Sequence, residues 1–400
     1  MTAPPAPPRP QVLHVITRLN LGGAEEVALS LTEQLAPECR FGVFAVMGVA
    51  DTAVGRDMEA RLRRLGVPVF CGTSLDMKRG GMLHGGLRLR QVLRRLRPDV
   101  VHLHTDIPEG AYAASLLFGR GEPEAPVVRT IHNTVLWPRW RRVGRWAERR
   151  LEQARNVAVS PASLEGLHRF RAEQGLGRLP DAQCGVIHNG VAPQPGRPPG
   201  RAPGPARLLF AGRFEPQKGA DLLPDILERA AGLTPADAHV TLLGQGSLED
   251  PLRRWAASGR LRWPLSFSPP VPRLAARLAE YDAVLMPSRF EGLALLGIEA
   301  LMAGTPVVAS RIDGLRELFP PGSDLLVEPG DTGAFARRVA ALVADPQAAA
   351  RQARALVAPT EARFGLGQMA GAYLGLYRQH AGAGAPQPAR WPLRPGEVGA

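Results

Sequence analysis

The chain has 400 residues, which is too long for one compact core and fits two domains of about 150–200 residues each. Apolar residues make up 45% and charged residues 22%, which excludes an intrinsically disordered protein. The net charge of +12 excludes an acidic solvating protein and leaves nucleic acid, nucleotide phosphates and anionic lipid open as partners.

The two ends of the chain, residues 1–10 and 381–400, mix Ala, Gly and Pro without a period and are predicted to be disordered. No stretch of about 18 residues is apolar and uncharged, so the sequence predicts no transmembrane helix. The first residues also lack the apolar segment of a signal peptide. The three cysteines are widely spaced and predict neither a disulfide framework nor a thiolate metal site. We therefore expect a cytoplasmic protein, and peripheral contact with the inner face of a membrane stays open.

A proline-rich stretch divides the chain near its middle. Residues 192–205 contain six prolines, which neither a helix interior nor a central strand tolerates, so we predict an interdomain linker. This linker separates a first domain, 11–191, from a second domain, 206–364. We expect residues 365–380 to form a C-terminal helix that packs back on the first domain.

Short β-branched runs alternate with amphipathic helical patterns in both halves. In the first half the predicted strands are Val12–Thr17, Phe41–Met47, Val67–Phe70, Val100–His104, Val127–His132 and Asn156–Ser160, and the predicted helices include Ala24–Leu35 and Leu87–Leu96. In the second half the predicted strands are Arg207–Ala211, His239–Leu243, Ala283–Met286, Pro306–Ala309 and Asp324–Val327, and the predicted helices include Asp221–Ala230, Leu248–Ala257, Leu295–Met302 and Ala334–Val343.

This alternation predicts an α/β fold with two doubly wound domains, each a parallel sheet that helices cover on both faces. We expect the two domains to face each other across a cleft. Ligands of such sheets bind at the carboxyl ends of the strands, so the residues directly after each strand are the candidates for function.

Gly22 and Gly23 follow the first predicted strand and open a helix. Two glycines let the backbone approach a ligand closely, and the helix N-terminus offers N–H groups to an anion. The pattern is not the GxGxxG of a dinucleotide site, and an ordinary turn stays open.

Arg213 and Lys218 follow the first strand of the second domain, with a turn between them. Such a turn lets a planar guanidinium and a compact ammonium converge on one diphosphate. The segment is not a Walker A loop, and two solvated surface cations are the alternative.

Glu291 and Glu299 follow the buried strand Ala283–Met286 and stand eight residues apart, among leucines and an isoleucine. A carboxylate in apolar surroundings needs a partner or a ligand. Two carboxylates that flank a helix start suit a sugar nucleotide, because amides can hold the phosphates while the carboxylates accept from hydroxyl pairs. A capping glutamate plus an exposed glutamate is the alternative.

These segments together resemble glycosyltransferase family 4, the retaining sugar-nucleotide-dependent enzymes of the GT-B fold. The resemblance covers about residues 11–380 and follows the order GGAE (22–25), TIHN (130–133), GRFEPQKG (212–219), EGLALLGIE (291–299) and ALMAGTPVVAS (300–310). It implies an N-terminal acceptor-side domain, a C-terminal donor-binding domain, and transfer of a sugar from a nucleoside-diphosphate sugar to a hydroxyl acceptor. A UDP-sugar is the favoured donor, and the acceptor is expected to be a glycan, a lipid-linked glycan or a small molecule.

The resemblance also implies residue roles. Arg213 and Lys218 would neutralise the departing diphosphate, Glu291 would hold hydroxyls of the transferred sugar, and His132 would face the sugar and β-phosphate across the cleft. The implied donor-binding residues are Gly22, Gly23, Arg213, Lys218, Glu291, Gly292, Leu293, Ala294, Leu295 and Glu299. Three positions depart from the family. Ala294 stands where the family usually has a glycine, and residues 267–270 lack the glycine that is usual there. Asp313 stands at the first glycine of the family's GG-x-x-E loop.

We expect neither a metal nor another cofactor. Many enzymes of this chemistry hold a divalent metal with Asp-x-Asp, and this sequence contains no such pair. Arg213, Lys218 and helix N-termini would supply the positive charge instead. The family's retention is described as front-face attack, in which the leaving phosphate accepts the acceptor's proton.

The N-terminal half is basic, with 26 Lys and Arg against 18 Asp and Glu in residues 1–195. Residues 137–155 combine tryptophans with many arginines, which is typical both of a helix that lies on anionic lipid and of a solvated helix whose tryptophans face the core. His102, His104 and Asp106 end a strand on the acceptor side. We expect no metal site there, on the argument that neighbouring strand residues point to opposite faces.

Three other functions stay open. A sugar-nucleotide epimerase shares the two-domain shape, although no acid and base pair for a sugar C2 is recognisable. A basic nucleic-acid-binding protein is disfavoured, because the arginines are dispersed and aromatic residues make up only 6%. An inactive relative is disfavoured because Arg213, Lys218, Glu291 and Glu299 are all present.

Overall fold

The computed structural model describes residues 9–119, 125–196 and 204–381. They divide into two compact units. The first takes in the chain up to Asn189 and resumes at Leu366, and the second is Gly190–Gly365. Most of the predicted tails and residues 197–203 of the predicted linker lie outside the described residues.

The first unit is built on a seven-stranded sheet in the order β3-β2-β1-β4-β5-β6-β7, and every neighbouring pair is parallel. Its strands are β1 (Gln11–Ile16), β2 (Arg40–Ala45), β3 (Val69–Cys71), β4 (Val100–His104), β5 (Val127–Ile131), β6 (Arg155–Ala158) and β7 (Cys184–Val186). Its first helices are α1 (Gly23–Leu35), α2 (Ala53–Arg64), α3 (Gly81–Leu96), α4 (Asp106–Ser115), α5 (Arg141–Arg150) and α6 (Pro161–Glu173). All residues of the central strands β4 and β5 are buried, as in a sheet that is covered on both faces.

The second unit is built on a six-stranded parallel sheet in the order β10-β9-β8-β11-β12-β13. Its strands are β8 (Ala206–Ala211), β9 (Ala238–Leu243), β10 (Leu265–Ser268), β11 (Ala283–Met286), β12 (Val307–Ser310) and β13 (Leu326–Val327). Its helices are α7 (Leu223–Leu233), α8 (Glu249–Ala257), α9 (Leu295–Met302), α10 (Asp313–Arg316), α11 (Thr332–Ala344), α12 (Pro346–Ala355) and α13 (Val357–Phe364). The chain then returns to the first unit as α14 (Leu366–Ala381).

Local chemistry explains where several helices begin. The side chains of Thr52, Ser160, Asp331 and Asp345 each accept a hydrogen bond from a backbone N–H of the helix that follows. Such caps satisfy N–H groups that have no partner inside the helix. Pro161 and Pro346 stand in the first turn of their helices, where a missing N–H costs nothing.

The structure confirms the predicted α/β class and two parallel-sheet, Rossmann-like domains. It adds two strands that were not among the predicted ones, β7 and β10. Both are edge strands, and their short, polar or glycine-containing sequences lack the β-branched runs that mark the central strands. Two adjacent prolines follow β10 and end its pairing.

Candidate active site

Lys218 and Glu291 form the centre of the candidate site in the second unit. The Lys218 ammonium donates hydrogen bonds to both carboxylate oxygens of Glu291, at 2.7 and 2.9 Å. The hydroxyl of Ser288 donates a third, at 2.8 Å to Oε1. Glu291 is only 7% exposed, so the lysine balances its charge inside the protein and the serine hydroxyl adds a hydrogen bond.

The ends of two adjacent strands hold this pair together. Lys218 lies in a short 3₁₀ turn, Pro216–Lys218, after β8, and Glu291 lies in the loop after β11. Gly219 has a φ of 70°, and a Cβ there would lie 2.0 Å from the carbonyl oxygen of Pro287. Only glycine allows this close approach, so Gly219 seats the lysine loop directly against the strand end that carries Glu291.

Arg213 is exposed and belongs to the same loop. Its guanidinium donates to the side-chain oxygen of Gln217, whose amide nitrogen donates to the carbonyl oxygen of Phe290 at 3.3 Å. Arg213 is therefore linked, through Gln217, to the residue before Glu291. Arg289 points elsewhere and forms a two-point ion pair with Asp221, with both distances 2.7 Å.

Helix α9 starts directly after the Glu291 loop. Gly292, Leu293 and Ala294 are buried, and Leu295 is the first helical residue. Ala294, the cap residue, offers no side-chain acceptor to the N–H groups of the first turn. Glu299 lies half-buried within this helix, one turn beyond its start. The structure thus places the predicted residues 291–294 in one loop, with Leu295 and Glu299 on the adjoining helix.

Gly22 and Gly23 begin helix α1 in the first unit. Gly22 is the cap residue, and a Cβ on it would lie 2.0 Å from Oε2 of Glu25. The Glu25 carboxylate therefore folds back over the start of the helix, where a negative charge is favourable. An anion that approaches this turn meets that carboxylate, a feature the glycine pattern alone did not indicate.

His132 follows β5 and is partly exposed. Its Nε2 lies 3.1 Å from Nδ1 of His104, and Nε2 of His104 lies 2.9 Å from Nδ1 of His14. Burial lowers the pKa of His132 to about 3, so the imidazole is neutral at physiological pH.

His102 and His104 lie on the same face of β4, because strand residues two apart share a face. The expectation that they point to opposite faces is wrong: their ring centroids lie 4.1 Å apart. Ring nitrogens of His14, His102 and His104 all lie within 4.8 Å of one another. The two nitrogens of His102 are hydrogen-bonded to Tyr377 and Thr130, each at 2.7 Å, so they belong to a hydrogen-bond network.

The arginine-rich segment 137–155 is anchored in the core of the first unit. Trp137 is 1% exposed, and the other two tryptophans pack partly buried against the same apolar cluster. Glu148 on α5 is fully buried and accepts from Arg129 at 2.6 Å and Arg171 at 2.8 Å. The tryptophans therefore face the core. The exposed arginines of the segment are Arg139, Arg141, Arg142, Arg145, Arg149 and Arg150.

Sequence reasoning missed two residues of these networks, Ser288 and His14. Ser288 stands three residues before Glu291, and its hydroxyl could have been paired with that carboxylate from spacing alone. His14 lies on β1, and nothing in its local sequence signals contact with His104 on β4. Only the sheet order, which places β1 next to β4, brings them together.

No helix among the described residues has the length and apolar content needed to span a bilayer.

Two family models match the chain, one for each half. Residues 21–194 match Glycosyltransferase Family 4, and residues 205–345 match Glycosyl transferases group 1. The chain is 33% identical over 300 residues to a D-inositol 3-phosphate glycosyltransferase of Pseudarthrobacter chlorophenolicus, covering 66% of this chain and 68% of that protein. It is 29% identical over 373 residues to a glycogen synthase of Mycobacterium tuberculosis, covering 86% of this chain and 84% of that protein.

Solved structures agree on the fold. The structure of Anabaena Alr3699/HepE in complex with UDP and glucose matches with a TM-score of 0.72 at 20% identity, covering 91% of this chain and 98% of that one. A sucrose-phosphate synthase from Thermosynechococcus elongatus matches with a TM-score of 0.69 at 18% identity, covering 93% and 99%. The chain therefore belongs to glycosyltransferase family 4 and is a glycosyltransferase with the GT-B fold.

Proposed function

We propose that the protein is a retaining, metal-independent glycosyltransferase that moves a sugar from a UDP-sugar to a hydroxyl acceptor. The observation that carries the proposal is the Lys218–Glu291 pair at the adjoining carboxyl ends of β8 and β11. It provides one cation and one carboxylate at the edge of a parallel sheet, where ligands of such sheets bind.

The chemistry of the transfer assigns a task to each charge. As the bond between the anomeric carbon and the diphosphate breaks, negative charge grows on the β-phosphate and positive charge on the sugar ring. Lys218 and Arg213 stabilise the first, together with the N–H groups of Leu293, Ala294 and Leu295 beside Gly292. These cations take the place of a divalent metal. Glu291 accepts hydrogen bonds from hydroxyls of the transferred sugar.

The remaining predicted residues bind the rest of the donor. Glu299 accepts from the ribose hydroxyls, because a carboxylate can take two neighbouring O–H donors at once. In the first unit, Gly22 and Gly23 approach the diphosphate once the Glu25 carboxylate has moved away from the helix start. The neutral imidazole of His132 hydrogen-bonds to the sugar or the β-phosphate.

Retention follows from front-face attack in this proposal. Both oxygens of Glu291 accept from Lys218, and one also accepts from Ser288. A carboxylate so occupied is a weak nucleophile, which favours its role as a hydrogen-bond acceptor over covalent catalysis. The departing phosphate then takes the proton of the attacking hydroxyl.

UDP is the proposed nucleotide because a structural neighbour was solved with UDP and with UDP-glucose. The two relatives, a glycogen synthase and a D-inositol 3-phosphate glycosyltransferase, point to different acceptors, so we propose only that the acceptor is a hydroxyl compound. Release of nucleoside diphosphate from UDP-, GDP- and ADP-sugars, with and without EDTA, tests both donor and metal. Release from a UDP-sugar that EDTA leaves unchanged is expected. Conversion of the donor sugar into its epimer would contradict the proposal. A protein that binds an oligonucleotide but no nucleotide sugar would also contradict it.

We further propose that the exposed arginines of α5 contact an anionic membrane surface by charge alone, since the nearby tryptophans face the core. Such binding is screened by salt. Flotation with vesicles that contain anionic lipid should carry the protein at low salt and release it at high salt. Absence of binding at low salt would contradict this contact.

A further inference from the structure

Three histidines form a hydrogen-bonded chain across neighbouring strands of the first unit. Nδ1 of His14 on β1 lies 2.9 Å from Nε2 of His104 on β4, and Nδ1 of His104 lies 3.1 Å from Nε2 of His132 after β5. His14 and His104 have no exposed surface, whereas His132 is partly exposed. The row of hydrogen-bonded histidines therefore runs from the interior to the carboxyl end of the sheet.

The protons in this chain can be arranged in two ways. Burial lowers the pKa of His14 to about 3 and that of His104 well below its ordinary value, so each imidazole is neutral and carries one proton. Either every ring donates toward His14, or every ring donates toward His132. When all three rings are neutral, the surroundings of the last histidine in the row decide which arrangement is preferred.

The buried end of the chain favours one arrangement. Nε2 of His14 has no hydrogen-bond partner among the residues that the structure describes, and the ring is stacked on Phe41 with centroids 5.3 Å apart. If the rings donated toward His14, this nitrogen would carry a buried N–H without an acceptor. Orphaned buried N–H groups are rarer than under-satisfied acceptors. A bare nitrogen at this position, with the proton on Nδ1, is therefore preferred.

We propose that His104 and His14 are positioning residues that hold His132 in the tautomer with its proton on Nδ1. His104 then donates to Nε2 of His132, and His132 presents an N–H donor at the end of β5. A donor of this kind suits an oxygen of the sugar or the phosphate and is unable to act as a base. This inference rests on the proposed donor-binding role of His132.

In the part of the chain that the structure describes, no neighbouring group competes with His104 for a hydrogen bond to His132. His102 lies closest to His104, but its two nitrogens are bonded to Tyr377 and Thr130. Tyr373 bonds to the same threonine at 2.7 Å. Among the described residues, Nδ1 of His132 has no hydrogen-bond partner, so the tautomer is set through Nε2 alone.

Nitrogen NMR of the full chain tests the tautomer without any activity measurement. The nine histidines are labelled with ¹⁵N, and the signals of His132 are assigned by their loss in His132→Gln. At neutral pH we expect a proton on Nδ1 and a bare Nε2. A proton on Nε2, two mixed tautomers or a doubly protonated ring would overturn the proposal. In His104→Leu both tautomers should appear, and His14→Leu provides a second variant if the first does not fold. An unchanged tautomer in the folded variant would remove the positioning role.

Kinetics separates this role from a purely structural one. His104→Leu should lower kcat about 10- to 100-fold, with a smaller change in KM for the donor. His104→Asn, whose amide can stand where Nδ1 stood, should recover part of the loss. His168→Leu removes another buried histidine, on α6, and serves as the control that keeps the wild-type rate. Wild-type kcat in folded His104→Leu would overturn the proposal. A wild-type protein that shows the expected tautomer but transfers no sugar would contradict only the proposed function.

Discussion

Lys218 donates hydrogen bonds to both carboxylate oxygens of Glu291, although the two residues stand 73 positions apart. The contact joins the loops after two neighbouring strands of the second unit, β8 and β11. The lysine side chain is 25% exposed and the glutamate side chain 8%, so the pair is largely shielded from water. In the proposed function, these two charges are held in place by their own contact before the donor binds.

Replacement of Lys218 by Ala should lower kcat about 100- to 1000-fold, because one donor to the developing phosphate charge is lost. Glu291→Gln should be similarly impaired, because it loses the negative charge that strengthens the hydrogen bonds from the sugar hydroxyls. Initial rates of nucleoside diphosphate release measure both. Arg229→Ala removes an exposed cation that pairs with Asp225 on its own helix and should keep the wild-type rate. Wild-type turnover in both folded variants would discard the site.

Replacement of Gly219 by Ala should weaken donor binding and lower stability, because the new Cβ would lie 2.0 Å from the Pro287 carbonyl oxygen. Gly330→Ala is the matched control, since Gly330 also has a positive φ but has nothing within 4 Å of an added Cβ. Both variants carry the backbone strain of a positive φ, about 1 kcal/mol or more. Only the first should displace the lysine loop. Equal effects on UDP binding in a calorimetric titration would show that the close approach is unimportant.

Replacement of Glu148 by Gln should lower the free energy of unfolding of the first unit by about 3–5 kcal/mol, since it leaves two buried arginines short of a countercharge. Glu148 accepts from Arg129 and Arg171, and Arg129 also pairs with Glu109 at 2.9 Å. Equilibrium unfolding in guanidinium measures the change. The exposed pair of Arg277 and Glu280, 3.0 Å apart, provides the control. Glu280→Gln should cost less than about 1 kcal/mol, and an equal loss in both variants would refute the argument.

Acidification should destabilise the first unit through its buried histidines. Burial lowers the pKa of His14 and of His132 to about 3, so below pH 6.5 the unfolded chain binds protons that the folded chain does not. The free energy of unfolding therefore falls as the pH drops from 6.5 toward 3, by about 1.4 kcal/mol per pH unit for each such histidine. Burial raises the pKa of Asp106 to about 6, which offsets part of this loss.

The variant His14→Leu isolates this contribution. Its free energy of unfolding should depend less steeply on pH than that of the wild type, by about 1.4 kcal/mol per pH unit between pH 6 and pH 4. Asp106 contributes equally to both proteins and drops out of the comparison. Unfolding curves recorded at several pH values measure the two slopes. Identical slopes would mean that His14 takes up its proton in the folded state as readily as in the unfolded chain.

The sequence predicted the α/β class and the central strands well, because these strands are rich in apolar residues, as a buried parallel sheet requires. It was less informative at the edges, where β7 and β10 are short and half polar. The sequence of helix α5 suited both a helix on anionic lipid and a solvated helix whose tryptophans face the core, because arginines dominate it. Its orientation follows from the burial of Glu148, the one carboxylate in the helix.

Candidate site residues near one strand end were predictable from motif order, but their contacts were not. The spacing of Lys218 and Glu291 in the chain does not indicate that they touch, because strand order decides which loops adjoin. The histidine chain depends on the same fact, since β1, β4 and β5 are neighbours in the sheet but distant in sequence. The position of the Glu25 carboxylate over Gly22 could not be predicted, because a carboxylate at this position indicates only a helix start.

The most direct test of the account is a calorimetric titration of UDP into the wild-type protein, Lys218→Ala and Glu299→Ala. UDP should bind the wild type, and each substitution should weaken binding about tenfold or more, because Lys218→Ala loses a phosphate contact and Glu299→Ala a ribose contact. Equal affinity of all three proteins for UDP, or no binding of any nucleoside diphosphate to the wild type, would contradict it.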